Sequence, residues 1–238
     1  TVYNDFINNV DFTKTPFKIY GDSGNVFEAE SVIISTGAQA RWLNLDSEEK
    51  YKGHGISACA TCDGFFFKDK QVAVVGGGNT AAEEALFLTK FASKVYLIHR
   101  REKFRAEKIL QNRIFNNSKI KVLWNKKVKN FIGSEKSKLL NKIILADTID
   151  KKESFIDVEG CFIAIGHDPA TSLFKSKIKM DSENYIITEP DSTATNIKGI
   201  FAAGDVKDKI YRQAVTAAGM GCMAALEAEK YIADFNSV

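Results

Sequence analysis

The chain has 238 residues, a formal net charge of +3, 45% hydrophobic residues and 26% charged residues. This length allows one large domain or two small ones, and the composition excludes a disordered or collagen-like chain. The small positive charge favours neither nucleic acid nor a membrane as partner, and no apolar run reaches the roughly 18 residues of a membrane span. The chain begins at Thr1 and its first methionine is Met180. We therefore expect that an N-terminal segment is missing, and no signal-peptide pattern opens the sequence.

The N-terminal elements are predicted to be strands. Residues 17–20 and 25–28 carry alternating apolar positions on either side of a glycine-containing turn at 21–24, which is typical of a β-hairpin. The apolar run at 31–35 predicts a strand that is buried on both faces. Residues 38–58 follow no periodic pattern and are predicted to be irregular.

The clearest unit lies in the middle of the chain. Residues 71–75 are predicted to be a strand, 76–81 a glycine-rich turn, the following residues a helix to about residue 91, and 94–98 a second strand. This order is that of a βαβ unit. The further predicted elements are a helix around 107–116, a strand at 120–124, short strands between 126 and 158 around a lysine-rich hairpin tip at 133–138, strands at 160–165 and 200–203, and a final helix at about 213–232.

The glycine-rich turn matches the dinucleotide fingerprint G-x-G-x-x-A at Gly76, Gly78 and Ala81. The pattern is weak by itself, but here it follows a predicted strand and opens a predicted helix, which is the context that the fingerprint requires. Glycines allow a pyrophosphate to approach the backbone, and the helix N-terminus offers free N–H groups. The alternative is a plain glycine-rich turn.

The end of the second strand indicates which dinucleotide binds. An NAD site would place Asp or Glu about 20 residues after the glycines, on the ribose 2′-hydroxyl. This sequence has His99, Arg100 and Arg101 there, and Arg105 follows. The guanidinium fork suits a phosphate group, so the sequence favours NADPH over NADH. The alternative is a solvated basic turn.

Two of the four cysteines, Cys59 and Cys62, form a C-x-x-C pair just before the βαβ unit. Such a pair in a chain without a secretory signal predicts a redox-active dithiol, and no metal site is predicted because a second ligand pair is missing. Asp63 follows directly, either as a proton donor in thiol–disulfide exchange or as a helix cap. Cys161 and Cys222 stand alone in apolar surroundings and are predicted to be small buried side chains.

Several of these motifs together resemble the bacterial-type, low-molecular-weight thioredoxin reductases. They are residues 57–66 (SACATCDGFF), 76–85 (GGGNTAAEEA), 99–106 (HRREKFRA), 201–206 (FAAGDV) and 210–214 (IYRQA). They are long, they occur in the order of the family, and the resemblance covers essentially the whole chain.

The resemblance implies an α/β fold in which a Rossmann-like NADPH domain is inserted into a FAD/NAD(P)-binding domain. Residues 1–37 would end the first FAD segment, 42–162 would form the NADPH domain, and 167–238 would form the second FAD segment. The chain would cross between domains at 35–37 and at 166–167. The fingerprint that the family uses for the FAD pyrophosphate is absent from the sequence, so the FAD domain is expected to be incomplete at its N-terminus.

The resemblance also implies a function, that of a thioredoxin-disulfide reductase. Electrons would pass from NADPH to FAD, then to a Cys59–Cys62 disulfide, and then to thioredoxin. Cys62 would lie nearer the flavin, Cys59 would attack thioredoxin, and Asp63 would be the acid. The intact enzyme would be a cytoplasmic homodimer without a nucleic-acid or membrane partner. The implied NADPH contacts are Gly76, Gly78, Asn79, Thr80, Ala81, His99, Arg100, Arg101 and Arg105, and the implied FAD contacts are Thr36, Gly37, Gly204, Asp205, Arg212, Gln213 and Ala214.

Two alternatives stay open at the level of sequence. The flavoprotein reductase that feeds a peroxidase system has a similar C-x-x-C pair. The chain as it stands is also compatible with a NADP(H)-binding module without turnover, because half of the FAD site is absent from it.

Overall fold

The computed structural model describes residues 1–134, 138–235 and 237. Part of the predicted lysine-rich hairpin tip, residues 135–137, lies outside the described residues. The chain divides into two compact units: Thr1–Gln39 together with His167–Val238, and Ala40–Gly166. Within the part of the chain that is described, no helix is both long and apolar enough to cross a membrane.

The described secondary structure alternates short strands and helices. The strands are β1 (Ile7–Asp11), β2 (Phe17–Gly21), β3 (Val26–Ala29), β4 (Val32–Ile34), β5 (Ala38–Ala40), β6 (Ile56–Ser57), β7 (Gln71–Gly76), β8 (Lys94–Ile98), β9 (Ile120–Leu123), β10 (Lys126–Gly133), β11 (Leu140–Asp147), β12 (Glu153–Asp157), β13 (Gly160–Ala164), β14 (His167–Pro169) and β15 (Ile200–Ala202). The helices are α1 (Asp46–Tyr51), α2 (Ala60–Asp63), α3 (Asn79–Leu88), α4 (Lys108–Phe115) and α5 (Ala214–Phe235), with 3₁₀ turns at Gly64–Phe67, Ser172–Phe174 and Gly204–Val206.

The unit Ala40–Gly166 is built on a five-stranded sheet in the order β6-β13-β7-β8-β9, and all of its strands are parallel. Successive side chains of a strand point to opposite faces. On the central strand β7, Val72 and Val74 therefore pack with α3 and α4 on one face. Ala73 and Val75 pack on the other face against the antiparallel sheet β10-β11-β12. The predicted α/β fold and its βαβ unit are confirmed.

This topology also determines where a ligand site can form. In a parallel sheet the carboxyl ends of all strands lie at one edge, and ligands bind outside that edge. Strand β7 ends there at Gly76, β8 ends at Ile98 and β13 ends at Ala164. The glycine-rich turn and the residues that begin with His99 are thereby placed side by side.

The unit of Thr1–Gln39 and His167–Val238 contains the antiparallel sheet β1-β2-β3 and the short parallel pair β4-β15. The predicted hairpin is confirmed, because β2 pairs with β3 in the register Phe17 to Ala29. A core of Val10, Phe17, Ile34 and Ile200 joins the meander to the parallel pair. Helix α5 packs on β15 mainly through small residues.

The structure corrects four sequence predictions. Strand β4 is not buried on both faces, because Ile33 is 39% exposed; helix α5 covers its neighbour Phe201 on β15 and leaves Ile33 partly open. Cys222 on α5 is exposed rather than buried, whereas Cys161 is buried as predicted. Helix α3 ends at Leu88, before the predicted residue 91. Residues 38–58 are not irregular, because they contain β5, α1 and β6.

Helix α1 has no hydrophobic periodicity, because most of its residues are polar. Asp46, Glu48 and Glu49 lie in its first turn, where negative charge interacts favourably with the helix dipole. The Glu48 carboxylate is buried and accepts hydrogen bonds from the backbone N–H groups of Leu43 and Asn44. These local hydrogen bonds to the Glu48 carboxylate, rather than an apolar stripe, fix the start of the helix.

Candidate functional site

The two fingerprint glycines are required for different reasons. A Cβ at Gly76 would lie 2.3 Å from the carbonyl oxygen of Ala164 and 2.5 Å from the Cβ of Ala81, so a side chain there would push β13 and α3 apart. A Cβ at Gly78 would meet no atom within 4 Å, because this residue faces open space at the N-cap of α3. A phosphate can thus approach the backbone at Gly78, while Gly76 maintains the packing beneath it.

The first turn of α3 consists of Asn79, Thr80 and Ala81. A helix start leaves backbone N–H groups without intrahelical partners and carries the positive end of the helix dipole, which suits an anion. Ala81 itself is buried in the core beneath the turn. The Asn79 side chain donates to the Glu107 carboxylate (Nδ2 to Oε1, 3.1 Å) and accepts from the Glu107 backbone N–H (2.8 Å), so it ties α3 to the start of α4.

The arginines follow strand β8 in a loop over residues 99–107, which we call the arginine loop. Arg100, Arg101 and Arg105 are all exposed, and none of them forms a salt bridge with a carboxylate among the described residues. The loop is fixed to the glycine-rich turn, because the carbonyl oxygen of Gly77 accepts from the backbone N–H groups of Arg105 (2.8 Å) and Ala106 (3.2 Å). The loop that carries the three exposed arginines is therefore held against the glycine-rich turn.

His99 differs from its neighbours because its ring is buried, with 6% of the residue exposed. Its Nδ1 lies 3.0 Å from the carbonyl oxygen of Gly76, and its Nε2 lies 3.0 Å from the carbonyl oxygen of Lys103. The imidazole therefore faces protein backbone. The donor set of this region fits NADPH: backbone N–H groups for a pyrophosphate, guanidinium groups for a 2′-phosphate, and no carboxylate at the end of β8.

Cys59 and Cys62 are joined by a disulfide at the single-turn helix α2. Cys59 is the N-cap of that turn, and its Sγ lies 3.2 Å from the backbone N–H of Cys62, which donates to it. The hydroxyl of Thr61 lies 3.3 Å from the same sulfur. Cys62 is exposed and Cys59 is half-buried. The N–H of Cys62 at a helix start favours a thiolate on Cys59 once the bond is reduced.

Asp63 follows the disulfide and is half-buried. It precedes the 3₁₀ turn Gly64–Phe67, and its carboxylate makes no capping hydrogen bond to that turn, so the helix-cap alternative has no support in the structure. The next side chains, Phe65 and Phe66, are 66% and 70% exposed. An apolar surface therefore lies directly beside the disulfide.

The residues that the family resemblance assigns to FAD lie in the unit of Thr1–Gln39 and His167–Val238. Asp205 is half-buried in the 3₁₀ turn after β15, and its carboxylate accepts no hydrogen bond from any described residue. Burial, and then the charge of Asp208, raise the pKa of Asp205. Gly204, just before it, has a φ of +77°, which favours glycine. Asp205 is thus a partly desolvated acceptor that fits a hydroxyl donor such as a ribityl chain.

Asp208 was missed by sequence reasoning. It is buried and accepts backbone hydrogen bonds from Ile210 and Tyr211 at 2.9 Å and from Arg212 at 3.0 Å. Burial alone would raise the pKa of Asp208, but these hydrogen bonds outweigh it and lower the pKa. They hold Arg212 at a φ of +47°, which is unusual for a residue with a side chain. An Asp placed two to four residues before such a segment is the signal that would have identified it.

The segment that Asp208 holds leads into α5. The Gln213 side chain donates to the carbonyl oxygens of Tyr211 (3.2 Å) and Arg212 (3.1 Å), and Ala214 begins the helix. The N-terminus of α5 is therefore shaped by its own preceding loop. The free backbone N–H groups of this helix start suit the polar edge of a flavin ring. A fingerprint for a second pyrophosphate is not among the motifs of this sequence.

Thr36 and Gly37 lie where the first segment of this unit ends. The Thr36 hydroxyl donates to the carbonyl oxygen of Ala170 (2.7 Å), and the backbone N–H of Ala170 donates to the carbonyl oxygen of Gly37 (2.9 Å). These bonds join the first segment to the second. The described residues contain no group of three or more His, Cys, Asp or Glu side chains that could hold a metal ion.

Comparison with known proteins gives one family. Residues 3–221 match the family model described as "Pyridine nucleotide-disulphide oxidoreductase". The chain is 56% identical to a thioredoxin reductase of Rickettsia conorii over 231 residues, which cover 97% of this chain and 74% of that protein. It is 48% identical to a thioredoxin reductase of Coxiella burnetii, with 98% and 74% coverage. The chain thus spans about three quarters of the length of these relatives.

Solved structures agree with the sequence comparison. The crystal structure of a thioredoxin reductase from Streptococcus pyogenes matches with a TM-score of 0.90 and 38% identity, covering 97% of this chain and 74% of that one. A thioredoxin reductase from Giardia duodenalis matches with a TM-score of 0.91 and 38% identity, covering 96% and 74%.

Proposed function

Because the chain belongs to the thioredoxin reductases of the pyridine nucleotide-disulphide oxidoreductase family, we propose that it carries NADPH-dependent thioredoxin-disulfide reductase chemistry. The observation that carries the proposal is the Cys59–Cys62 disulfide, which lies on the same compact unit as the glycine-rich turn and the arginine loop. The relatives at 56% and 48% identity are thioredoxin reductases, which favours thioredoxin over the peroxidase system as the partner.

The unit Ala40–Gly166 would bind NADPH, and the unit of Thr1–Gln39 and His167–Val238 would bind FAD. When bound, the two cofactors supply the pair of electrons that reduces the disulfide. Arg100, Arg101 and Arg105 hold the 2′-phosphate, which distinguishes NADPH from NADH. The N-terminus of α3 receives the pyrophosphate, and the Asp205 carboxylate accepts a hydrogen bond from a hydroxyl of the FAD chain.

The cysteines then exchange bonds with the protein substrate. Two electrons and two protons convert the Cys59–Cys62 disulfide into two thiols. The Cys59 thiolate, favoured by the N–H of Cys62, attacks one sulfur of the thioredoxin disulfide. A mixed disulfide forms, and Asp63 protonates the departing thiolate. Cys62 next attacks the Cys59 sulfur, which restores the original disulfide and releases thioredoxin as a dithiol.

The exposed rings of Phe65 and Phe66 offer a protein substrate an apolar contact beside the disulfide. Exposed aromatic side chains are enriched where partners dock, because they bury large apolar areas with little loss of conformational entropy. We further propose, from the family alone, that the intact enzyme is a homodimer and that it acts in the cytoplasm.

The test is reduction of a thioredoxin disulfide by the 238-residue chain supplied with FAD and NADPH. We expect Cys59→Ser and Cys62→Ser to abolish thioredoxin reduction while the binding of NADP⁺ stays unchanged. Cys222→Ser is the matched control, because this cysteine is exposed and belongs to the other unit. Unchanged turnover in the Cys59→Ser variant would contradict the proposal.

One observation favours a second function for the chain as it stands. Only one G-x-G-x-x-A pattern of the sequence, at residues 76–81, follows a strand and opens a helix, and it lies in the unit proposed to bind NADPH. A NADP(H)-binding module without turnover would bind NADP⁺ and retain little flavin after gel filtration with added FAD. Flavin absorbance that co-elutes with the protein in a 1:1 ratio, together with turnover, would exclude the module.

A further inference from the structure

The ring of His99 bridges the two parts of the NADPH site. On one side, Nδ1 lies 3.0 Å from the carbonyl oxygen of Gly76, at the glycine-rich turn. On the other side, Nε2 lies 3.0 Å from the carbonyl oxygen of Lys103, in the arginine loop. Residue 77 must be glycine for the ring to fit, because a Cβ there would lie 2.2 Å from the imidazole.

Both partners of the ring are hydrogen-bond acceptors. A neutral imidazole has one N–H donor and one lone pair, so it can satisfy only one of the two carbonyl groups. The other nitrogen would then direct its lone pair at a carbonyl oxygen. Only the imidazolium, which has two N–H groups, donates to both. The complete bridge between the turn and the loop therefore requires a proton on His99.

The surroundings of the ring oppose that proton in the free protein. Burial lowers the pKa of His99 most. The hydrogen bonds to the two carbonyl groups raise it in part, and the nearby charges of Arg101 and Arg105 lower it by a smaller amount. The other groups packed on the ring do not titrate. They are the Gly77 backbone and the side chains of Phe104 and Trp124, with ring centroids 5.4 Å and 6.0 Å away.

An anion on the loop would shift this balance towards the imidazolium. A 2′-phosphate held by Arg101 and Arg105 neutralises the two charges that disfavour the imidazolium, so the affinity of His99 for a proton from the solvent rises. The protonated ring then donates to both carbonyl groups and fixes the loop against the turn. Coupling between two binding events is reciprocal, so protonation must in turn strengthen the binding of the phosphate.

We propose that His99 is a positioning residue that locks the arginine loop to the glycine-rich turn, and that its protonation is coupled to the binding of the 2′-phosphate of NADPH. The inference rests on the proposed NADPH site but not on turnover. It assigns His99 no contact with the nucleotide. The ring acts through the carbonyl groups of Gly76 and Lys103 and thereby through the arginines of the same loop.

The sign of the pH dependence follows directly. If the pKa of His99 is higher in the complex than in the free protein, binding takes up a proton. The affinity for NADP⁺ is then greatest below both pKa values and falls as the pH rises through them. NAD⁺ lacks the 2′-phosphate, so its affinity should not change with pH through this group.

The test is calorimetric titration of NADP⁺ and NAD⁺ into the 238-residue chain between about pH 5 and about pH 8, the range in which histidine titrates. We expect His99→Gln to raise the Kd for NADP⁺ about tenfold at the lower pH, the magnitude of one hydrogen bond to a charged group, and less at the higher pH. The Kd for NAD⁺ should change less than about twofold. NAD⁺ has no 2′-phosphate for the arginine loop to hold, so the loss of the His99 hydrogen bonds to that loop should hardly affect its binding. His54→Gln is the matched control, because His54 is exposed on the same unit.

The phosphate of NADP⁺ also titrates near neutral pH, but it does so equally in the wild type and in the variant. The difference between the two pH profiles therefore isolates His99. A second measurement uses the wild type alone. The NMR titration of the His99 ring should move to higher pH on addition of NADP⁺ but not of NAD⁺.

The remaining outcomes would contradict either the role of His99 or the proposed function, and they can be told apart. Equal weakening of NADP⁺ and NAD⁺ at every pH, or a His99 titration that NADP⁺ leaves unmoved, would overturn the inference and leave His99 a structural residue. Failure of the wild type to bind NADP⁺ at all would instead contradict the proposed function.

Discussion

Replacement of both Arg100 and Arg101 by glutamine tests whether the arginine loop selects the cofactor. Both side chains are exposed, and neither pairs with a carboxylate among the described residues, so their charge is available to a ligand. Glutamine keeps a hydrogen-bonding side chain of similar length and removes the charge. The glycine-rich turn and α3 are unaltered, so the pyrophosphate contacts should persist.

The expected magnitude follows from the exposure of these side chains. A hydrogen bond to a charged group contributes roughly 1.5–3 kcal/mol, and solvent screening places exposed arginines at the lower end. Two losses of about 1.5 kcal/mol sum to about 3 kcal/mol, or roughly a hundredfold in Kd, since about 1.4 kcal/mol is tenfold. The Kd for NAD⁺, which has no phosphate at this position, should change less than about threefold, a fraction of one such bond.

The assay is a titration of the 238-residue chain with NADP⁺ and NAD⁺, followed by calorimetry at two salt concentrations. The affinity of the wild type for NADP⁺ should fall with added salt, and that of the double variant should fall less, because exposed charges are screened. Arg113→Gln is the matched control, since Arg113 is an exposed arginine on the same unit at the end of α4. A similar rise in Kd for both nucleotides would refute the assignment of the loop to the 2′-phosphate.

Three further predictions concern other parts of the chain. Changing both Phe65 and Phe66 to alanine should raise the KM for thioredoxin about fivefold or more, as interface aromatic residues commonly contribute more than about 1 kcal/mol, with NADP⁺ affinity unchanged. Gly76→Ala should destabilise the fold by about 1–3 kcal/mol in urea denaturation, because its Cβ would lie 2.3 Å from a backbone oxygen. The hydrogen bond from Lys126 lowers the pKa of Asp147 to about 2, so Asp147→Asn should destabilise the chain above pH 3.8, and the difference should shrink as the pH falls through about 2.

These predictions have their own controls and contrary outcomes. Phe155→Ala removes another exposed ring of the same unit and should leave the KM for thioredoxin unchanged. Gly219→Ala adds a Cβ within α5 that meets no atom within 4 Å, so it should be neutral or stabilising, unlike Gly76→Ala. A stability difference for Asp147→Asn that stays at its full neutral-pH size when the pH falls to about 2 would show that the carboxylate charge is not its cause.

The sequence alone determined the features that depend on contiguous residues. An apolar run, a glycine-rich turn and a helix start follow one another in residues 71–88. The arginines follow the next strand, so local pattern was enough to predict a βαβ unit and its cofactor. The redox-active disulfide could also be predicted from the sequence, because Cys59 and Cys62 are separated by only 3 positions. These features need no knowledge of which distant residues meet.

Only the tertiary structure decided the features that depend on residues far apart in the sequence. From the sequence, His99 cannot be distinguished from the other basic residues of the loop. In the structure, its ring contacts the carbonyl oxygen of Gly76, 23 positions earlier. Whether Ile33 or Cys222 is covered depends on which elements pack over them, and hydrophobic character says nothing about that. The physical reason is that local pattern records conformational preference, whereas burial and hydrogen-bond partners are set by the topology that brings separate elements together.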